Sequence, residues 1–305
     1  MISDTKTRAY LAWAAICLIW GTTYLAIRIG VEDLPPLLFA GFRWFLAGPI
    51  LFLFLIKKGY RLPGWQDIKR SAVVGILLLG FGNGFVVFSE QWIPSGLAAL
   101  LITTVPFWIV GIESFYVRGS NLNMKIIIGL LAGMSGVTLI FGSNIISIFD
   151  PHYIKGVAGL FVAVTSWSVG TVYSKYNATE VHPLMSAAVQ MTIAGTLMTS
   201  VSLIIGEHKN LTFTPESVAA FFYLLIVGSL IGYGSYIYAI EHLPVSFVST
   251  YAYINPVIAI FLGWLVLDEV INLELFLSAA IILSGVYLVK RGSVEARTKL
   301  SRTDR

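Results

Sequence analysis

Charge is absent from long stretches of this chain and crowded into short ones between them. Eight runs carry no charged residue: Tyr10–Ile27, Ser71–Ser89, Ile93–Ile112, Ile126–Phe149, Gly156–Ser174, Pro183–Gly206, Ser217–Ile240 and Leu243–Leu267. A ninth, Leu34–Ile56, is interrupted only by Arg43, and a tenth, about Asn272–Val289, carries Glu274 at its start. A hydrocarbon core about 30 Å thick is crossed by roughly 20 helical residues, so each run has the length of one transmembrane helix. The pattern predicts an all-α polytopic membrane protein with ten spans.

Composition supports lipid as the solvent: 57% of the 305 residues are hydrophobic and 12% charged, too apolar for an ordinary soluble domain. The longest connecting segments hold only about a dozen residues, which leaves no room for a soluble catalytic or nucleotide-binding domain. No GxxxxGK[ST] phosphate loop occurs, so ATP-driven pumping by this chain alone is not expected. The first run lacks a small-residue cleavage site before Arg28 and reads as a retained helix. Cys17, the single cysteine, lies inside it and is expected only to pack.

The basic residues alternate by loop. Sixteen fall in the two termini and the even-numbered loops, against Arg28, Lys155 and Lys209 in the opposite loops. By the positive-inside rule both termini lie in the cytoplasm. The basic excess therefore sets topology and contacts membrane lipid; it does not point to nucleic acid.

Self-comparison reveals a repeat. A shift of 147 places Trp20 on Trp167, Arg28 on Lys175, Pro36 on Pro183 and Ala47-Gly48 on Ala194-Gly195. A shift of 150 places Gly82 on Gly232, Gly84 on Gly234, Pro94 on Pro244 and Pro106 on Pro256, and one of 149 superimposes Ser135-Gly136-Val137 on Ser284-Gly285-Val286. The chain divides into a tail over 1–9, five helices over 10–149, five over 155–291, and a basic tail over 292–305. Five is odd, so the second half enters the membrane in the opposite sense, and such inverted repeats suit a central site opened to each side in turn.

Several residues in the spans call for partners. Arg43 is the only charge deep in a run, and at a cost of about 2.5 to more than 10 kcal/mol on a lipid face it must point inward. Glu90, at the end of the third run, is its expected partner, as a structural ion pair or gate; Gln190 is its equivalent in the second half. Asn83 and Asn255 cannot stay unsatisfied in hydrocarbon and bond either substrate or a neighbouring helix. Trp20, Tyr24, Trp167 and Tyr251 are candidates for a stacking cavity, with packing as the alternative. Pro106 and Pro256 break their helices one turn back, at the carbonyls of Ile102 and Ala252, and paired breaks in two repeats point to a substrate site.

The histidines, His152, His182, His208 and His242, all fall in connecting segments with no HExxH and no cysteine partner, so neither metal nor cofactor is expected. No serine–histidine constellation suggests an intramembrane enzyme. The Gly129-x-x-x-Gly133 pair builds either a homodimer or a contact within the chain, and the second reading favours a monomer. A transporter of a small solute is the leading reading; a receptor or scaffold that binds a small ligand without moving it is the alternative.

The strings IWGTTYLAIRIG, PPLLFAGFRWFLAG, GNGFVVFSEQWIPSGLAALLITTVP, SWSVGTVYSK and SFVSTYAYINPVIAIFLGWLVLDEV, in that order, resemble the EamA-type members of the drug/metabolite transporter superfamily, in particular the YedA-like branch. The resemblance covers nearly all of residues 10–290. It implies a ten-helix inverted-repeat fold in the cell membrane and export of small metabolites, amino acids or foreign compounds.

Overall fold

A computed structural model describes residues 2–93, 95–116, 123–141, 150–258 and 273–303. Pro94, Arg118, Asn272, Arg305 and the ends of the fifth and ninth runs (142–149 and 259–267) lie outside the described residues.

Every regular element among the described residues is helical. We number the helices by span: α1 (Ile2–Asp33), α2 (Pro36–Lys57), α3 (Trp65–Ser89), α4 (Leu97–Tyr116), α5 (Met124–Phe141), α6 (Pro151–Tyr176), α7 (Pro183–Ile205), α8 (Pro215–His242), α9 (from Val245, described to 258) and α10 (Leu273–Thr303). Eight of them contain a stretch long and apolar enough to cross a membrane, and α5 is a shorter apolar helix. Prolines at the first position start α2, α7 and α8, where the missing amide hydrogen costs nothing. Gly206, at φ 83°, ends α7 in the left-handed conformation that a glycine adopts without a Cβ penalty. The C-terminal segment expected as a tail continues α10 to Thr303.

The outer surface is apolar. Leu11, Leu18 and Leu25, seven residues apart on α1, are more than half exposed, while Ile16 and Cys17 between them are buried. A helix with apolar residues on both faces belongs between protein and lipid.

The two halves interlock through glycines at equivalent positions. A Cβ on Gly48 of α2 would lie 2.5 Å from the Thr192 amide of α7, and one on Gly195 of α7 would lie 2.1 Å from the Phe45 amide of α2. Gly129 and Gly285 stand against each other's carbonyls where α5 meets α10, so the GxxxG pair packs within the chain. Gly82 of α3 makes room for Trp167 of α6, and its equivalent Gly232 of α8 makes room for Trp20 of α1. Each half thus lays its first helix on the third helix of the other.

Both ends of the chain come to the same side, with the Lys290 ammonium 4.5 Å from the centre of the Tyr10 ring. On the far side Arg28 donates to the Glu90 carbonyl at 2.6 Å. Its equivalent Lys175 donates to the carbonyls of Ile240, Glu241 and Leu243 at 2.7, 3.0 and 2.9 Å. A cation therefore caps the C-terminal end of the third helix in each half, where free carbonyls and the helix dipole favour positive charge.

Candidate functional site

The third helix of each half changes its winding at mid-membrane. Ile76–Asn83 in α3 and Leu224–Tyr233 in α8 are π-helical, and a shift of 150 superimposes Asn83 on Tyr233. The wider turn is a recurrent feature of functional sites, and here both segments end on a polar side chain directed at the second helix of the same half. Asn83 Oδ1 accepts from Arg43 Nη2 at 2.7 Å and from Trp44 Nε1 at 3.0 Å. In the other half Tyr233 Oη donates to Gln190 Oε1 at 2.6 Å. Since Gln190 is the equivalent of Arg43, one polar bridge occurs twice, once with a cation and once without.

Gln190 Nε2 donates to Ser186 Oγ at 2.9 Å, and Ser186 shares a hydrogen bond with Ser71 at 2.9 Å. Trp44 meets the Tyr233 ring edge-on at 5.5 Å, and the Arg43 guanidinium lies 4.5 Å from the centre of the Trp44 ring. The chain of contacts Arg43–Trp44–Tyr233–Gln190–Ser186 joins α2, α8 and α7, so polar groups from both halves are fixed against one another.

Beside this chain lies an open-mouthed cavity. Its end nearest the chain termini is built of aromatic rings. Trp20 and Trp167, the repeat equivalents, meet edge-on with centroids 5.4 Å apart, and Tyr251 packs on Trp20 at 5.0 Å. Tyr236, 5.1 Å from Trp20 and 5.2 Å from Trp167, completes the cluster and accepts from Trp167 Nε1 at 3.0 Å. From there the cavity extends past Tyr24, Ile27, Val86 and Ala163 toward the opposite side.

Of the eight residues expected at a substrate site, Trp20, Tyr24, Arg43, Asn83, Trp167 and Tyr251 line this one cavity. Gln190 stands behind Tyr233, and Asn255 donates to the carbonyls of Cys17 and Tyr251, at 3.1 and 2.9 Å, with its amide suitably oriented. Neither reaches the cavity wall. Pro106 and Pro256 are buried and also off the wall, although Ile102 and Val105 beside Pro106 are on it. The helix breaks differ from those expected: α4 turns at Thr103–Thr104, one to two residues after Ile102, whereas α9 turns at Ser249–Thr250, two to three residues before Ala252.

Arg43 and Glu90 do not form the expected ion pair. Arg43 turns to Asn83, one π-segment away, while Glu90 sits a turn beyond Val86, with neither carboxylate oxygen hydrogen-bonded and with Arg28 holding its backbone carbonyl instead. Snorkelling toward Glu90 gives way to a shorter reach to a neutral acceptor in the protein interior. Trp44 and Tyr233 were not anticipated. The signal for Tyr233 was present, because it is the repeat partner of Asn83; Trp44 had none beyond its place next to Arg43.

The EamA-like transporter family model matches residues 7–142 and again residues 154–291. An uncharacterized inner membrane transporter of Escherichia coli K12, YedA, is 34% identical over 281 residues, covering 91% of this chain and 89% of that protein. The uncharacterized transporter YoaV of Bacillus subtilis is 27% identical over 282 residues, covering 92% and 96%. A crystal structure with 22% identity superposes at a TM-score of 0.76 over 93% of this chain and 98% of that one, a likeness of fold.

Proposed function

The chain belongs to the EamA-like transporter family, and from that premise we propose that it is a secondary transporter that exports small metabolites, amino acids or drug-like compounds by alternating access. The observation that carries this reading is the placement of the cavity. It lies where the two halves meet, bounded by the equivalent tryptophans Trp20 and Trp167, by the Arg43–Asn83 bridge and by Tyr233 of the equivalent bridge to Gln190. A site shared by two inverted halves can face either side by exchanging their conformations. Export in particular rests on resemblance, and cytoplasmic termini rest on sixteen basic residues against three.

Purified protein in proteoliposomes should exchange internal unlabelled solute for external labelled solute across a panel of amino acids, organic acids and amines, above protein-free vesicles. Trp167→Ala should abolish exchange while the protein still folds. Tight binding of a panel member without any flux would convert the reading to a receptor.

A further inference from the structure

Among the described residues, Arg43 is the only charged one on the cavity wall. Its side chain is 2% exposed, yet among the described residues only one of its N–H groups donates, from Nη2 to Asn83. Nε has no hydrogen-bond partner. A guanidinium presents five donors in a rigid fork, and a buried charge left this far short of acceptors is costly unless a ligand completes it. Asn83 is in the complementary condition. Its oxygen is occupied by Arg43 and Trp44, so the amide must turn its nitrogen away from them, and that nitrogen donates to no described residue.

The second half supplies an internal control. There the equivalent Gln190 is satisfied at both ends, accepting from Tyr233 and donating to Ser186. The same bridge is closed and neutral in one half, and positively charged with donors to spare in the other. Packing alone accounts for the first. The second has the features of a built anion site: fixed cation, a neighbouring amide donor, and low polarity around them. Beyond it lie the rings of Trp20 and Trp167, a surface for a flat apolar body.

Resting on the transporter reading, we propose that the cavity takes an organic anion, its carboxylate or similar group held by Arg43 and the Nδ2 of Asn83 and its apolar body laid against Trp20 and Trp167. A planar guanidinium matches a carboxylate two oxygens at a time, which a point charge does not. Amines of the same shape are repelled by the one charge on the described wall.

Three probes with one skeleton test this: 3-phenylpropionate, 3-phenylpropanamide and 3-phenylpropylamine, with binding to the purified protein measured by calorimetry at neutral pH and exchange measured in proteoliposomes. The propionate should bind at least tenfold more tightly than the amide, and the amine not measurably. Arg43→Gln should erase the preference. Because that variant also breaks the bridge to Asn83, Asn83→Asp is the sharper test: it keeps an acceptor for Arg43 and Trp44, supplies the anion from within, and removes the Nδ2 donor. It should keep wild-type thermal stability and lose at least tenfold in propionate affinity. An amide or amine bound as well as the propionate, or an unchanged propionate affinity in Asn83→Asp, overturns the assignment. If none of the three binds while another solute is exchanged, the anion site is wrong and the transporter stands; if no solute of any class is exchanged, the transporter reading itself falls.

Discussion

Arg43 and Glu90 are both buried and both ionisable, and they meet their environments separately. Arg43 gives one donor to Asn83, whereas no described residue donates to the Glu90 carboxyl oxygens. This fixes the expected response to substitution. Glu90→Gln replaces a buried carboxyl group that no described residue hydrogen-bonds and should leave stability in detergent unchanged or raised. Arg43→Gln strips Asn83 of a charged donor and should cost about 1–3 kcal/mol. The double variant should equal the sum of the singles within about 0.5 kcal/mol, as for residues that share no partner. A Glu90→Gln loss of several kcal/mol that Arg43→Gln restores would instead establish a direct pair.

At the level of elements, the spans were legible because lipid imposes one rule on every helix: about 20 residues without charge. Their ends were less so. α3 starts at Trp65, ahead of the charge-free run at Ser71, because the Asp67 carboxylate accepts from the Gly64 amide and from the Glu180 amide. The polar residues of the first turn thus face a neighbouring loop. The π-segments were invisible, since one slipped carbonyl register leaves no compositional mark. Cavity residues were legible where they were large, polar or repeated; Arg43's true partner was not, because contact across helices depends on rotation about their axes. The glycines test the packing between elements. A Cβ on Gly195 would strike the α2 backbone, while one on Gly111 would meet nothing within 4 Å. Alanine is favoured over glycine in a helix by about 1 kcal/mol, so Gly111→Ala should be neutral or stabilising. Gly195→Ala must push α2 from α7 and should destabilise by about 1–3 kcal/mol despite the same gain. Thermal unfolding in one detergent compares them, and equal effects would mean that α2 and α7 are not in close contact.

For the whole molecule, the inverted repeat makes the unseen conformation predictable residue by residue. In the conformation described, the cavity lies on the side of the aromatic cluster away from the termini, with Tyr24, Val164 and Val86 on its wall. Exchanging the conformations of the two halves transfers each wall position to its repeat equivalent. By shifts of 147 and 150, Tyr24 gives way to Thr171, Val164 to Cys17 and Val86 to Tyr236; Thr171 and Cys17 are now buried beyond the cluster, and Tyr236 is buried within it. The single native cysteine is therefore a reporter placed by the fold. Cys17 should react with an impermeant methanethiosulfonate only from the side of the termini, and only while the cavity faces that side. Val164→Cys in a Cys17→Ala background should react only from the opposite side. Lys6→Cys, in the exposed N-terminal part of α1, marks the side of the termini and should label only from the cytoplasm. A transported solute should move the rates at positions 17 and 164 in opposite directions, because one equilibrium governs both. Rates that rise or fall together would mean that the halves do not exchange conformations and that the cavity opens by some other motion.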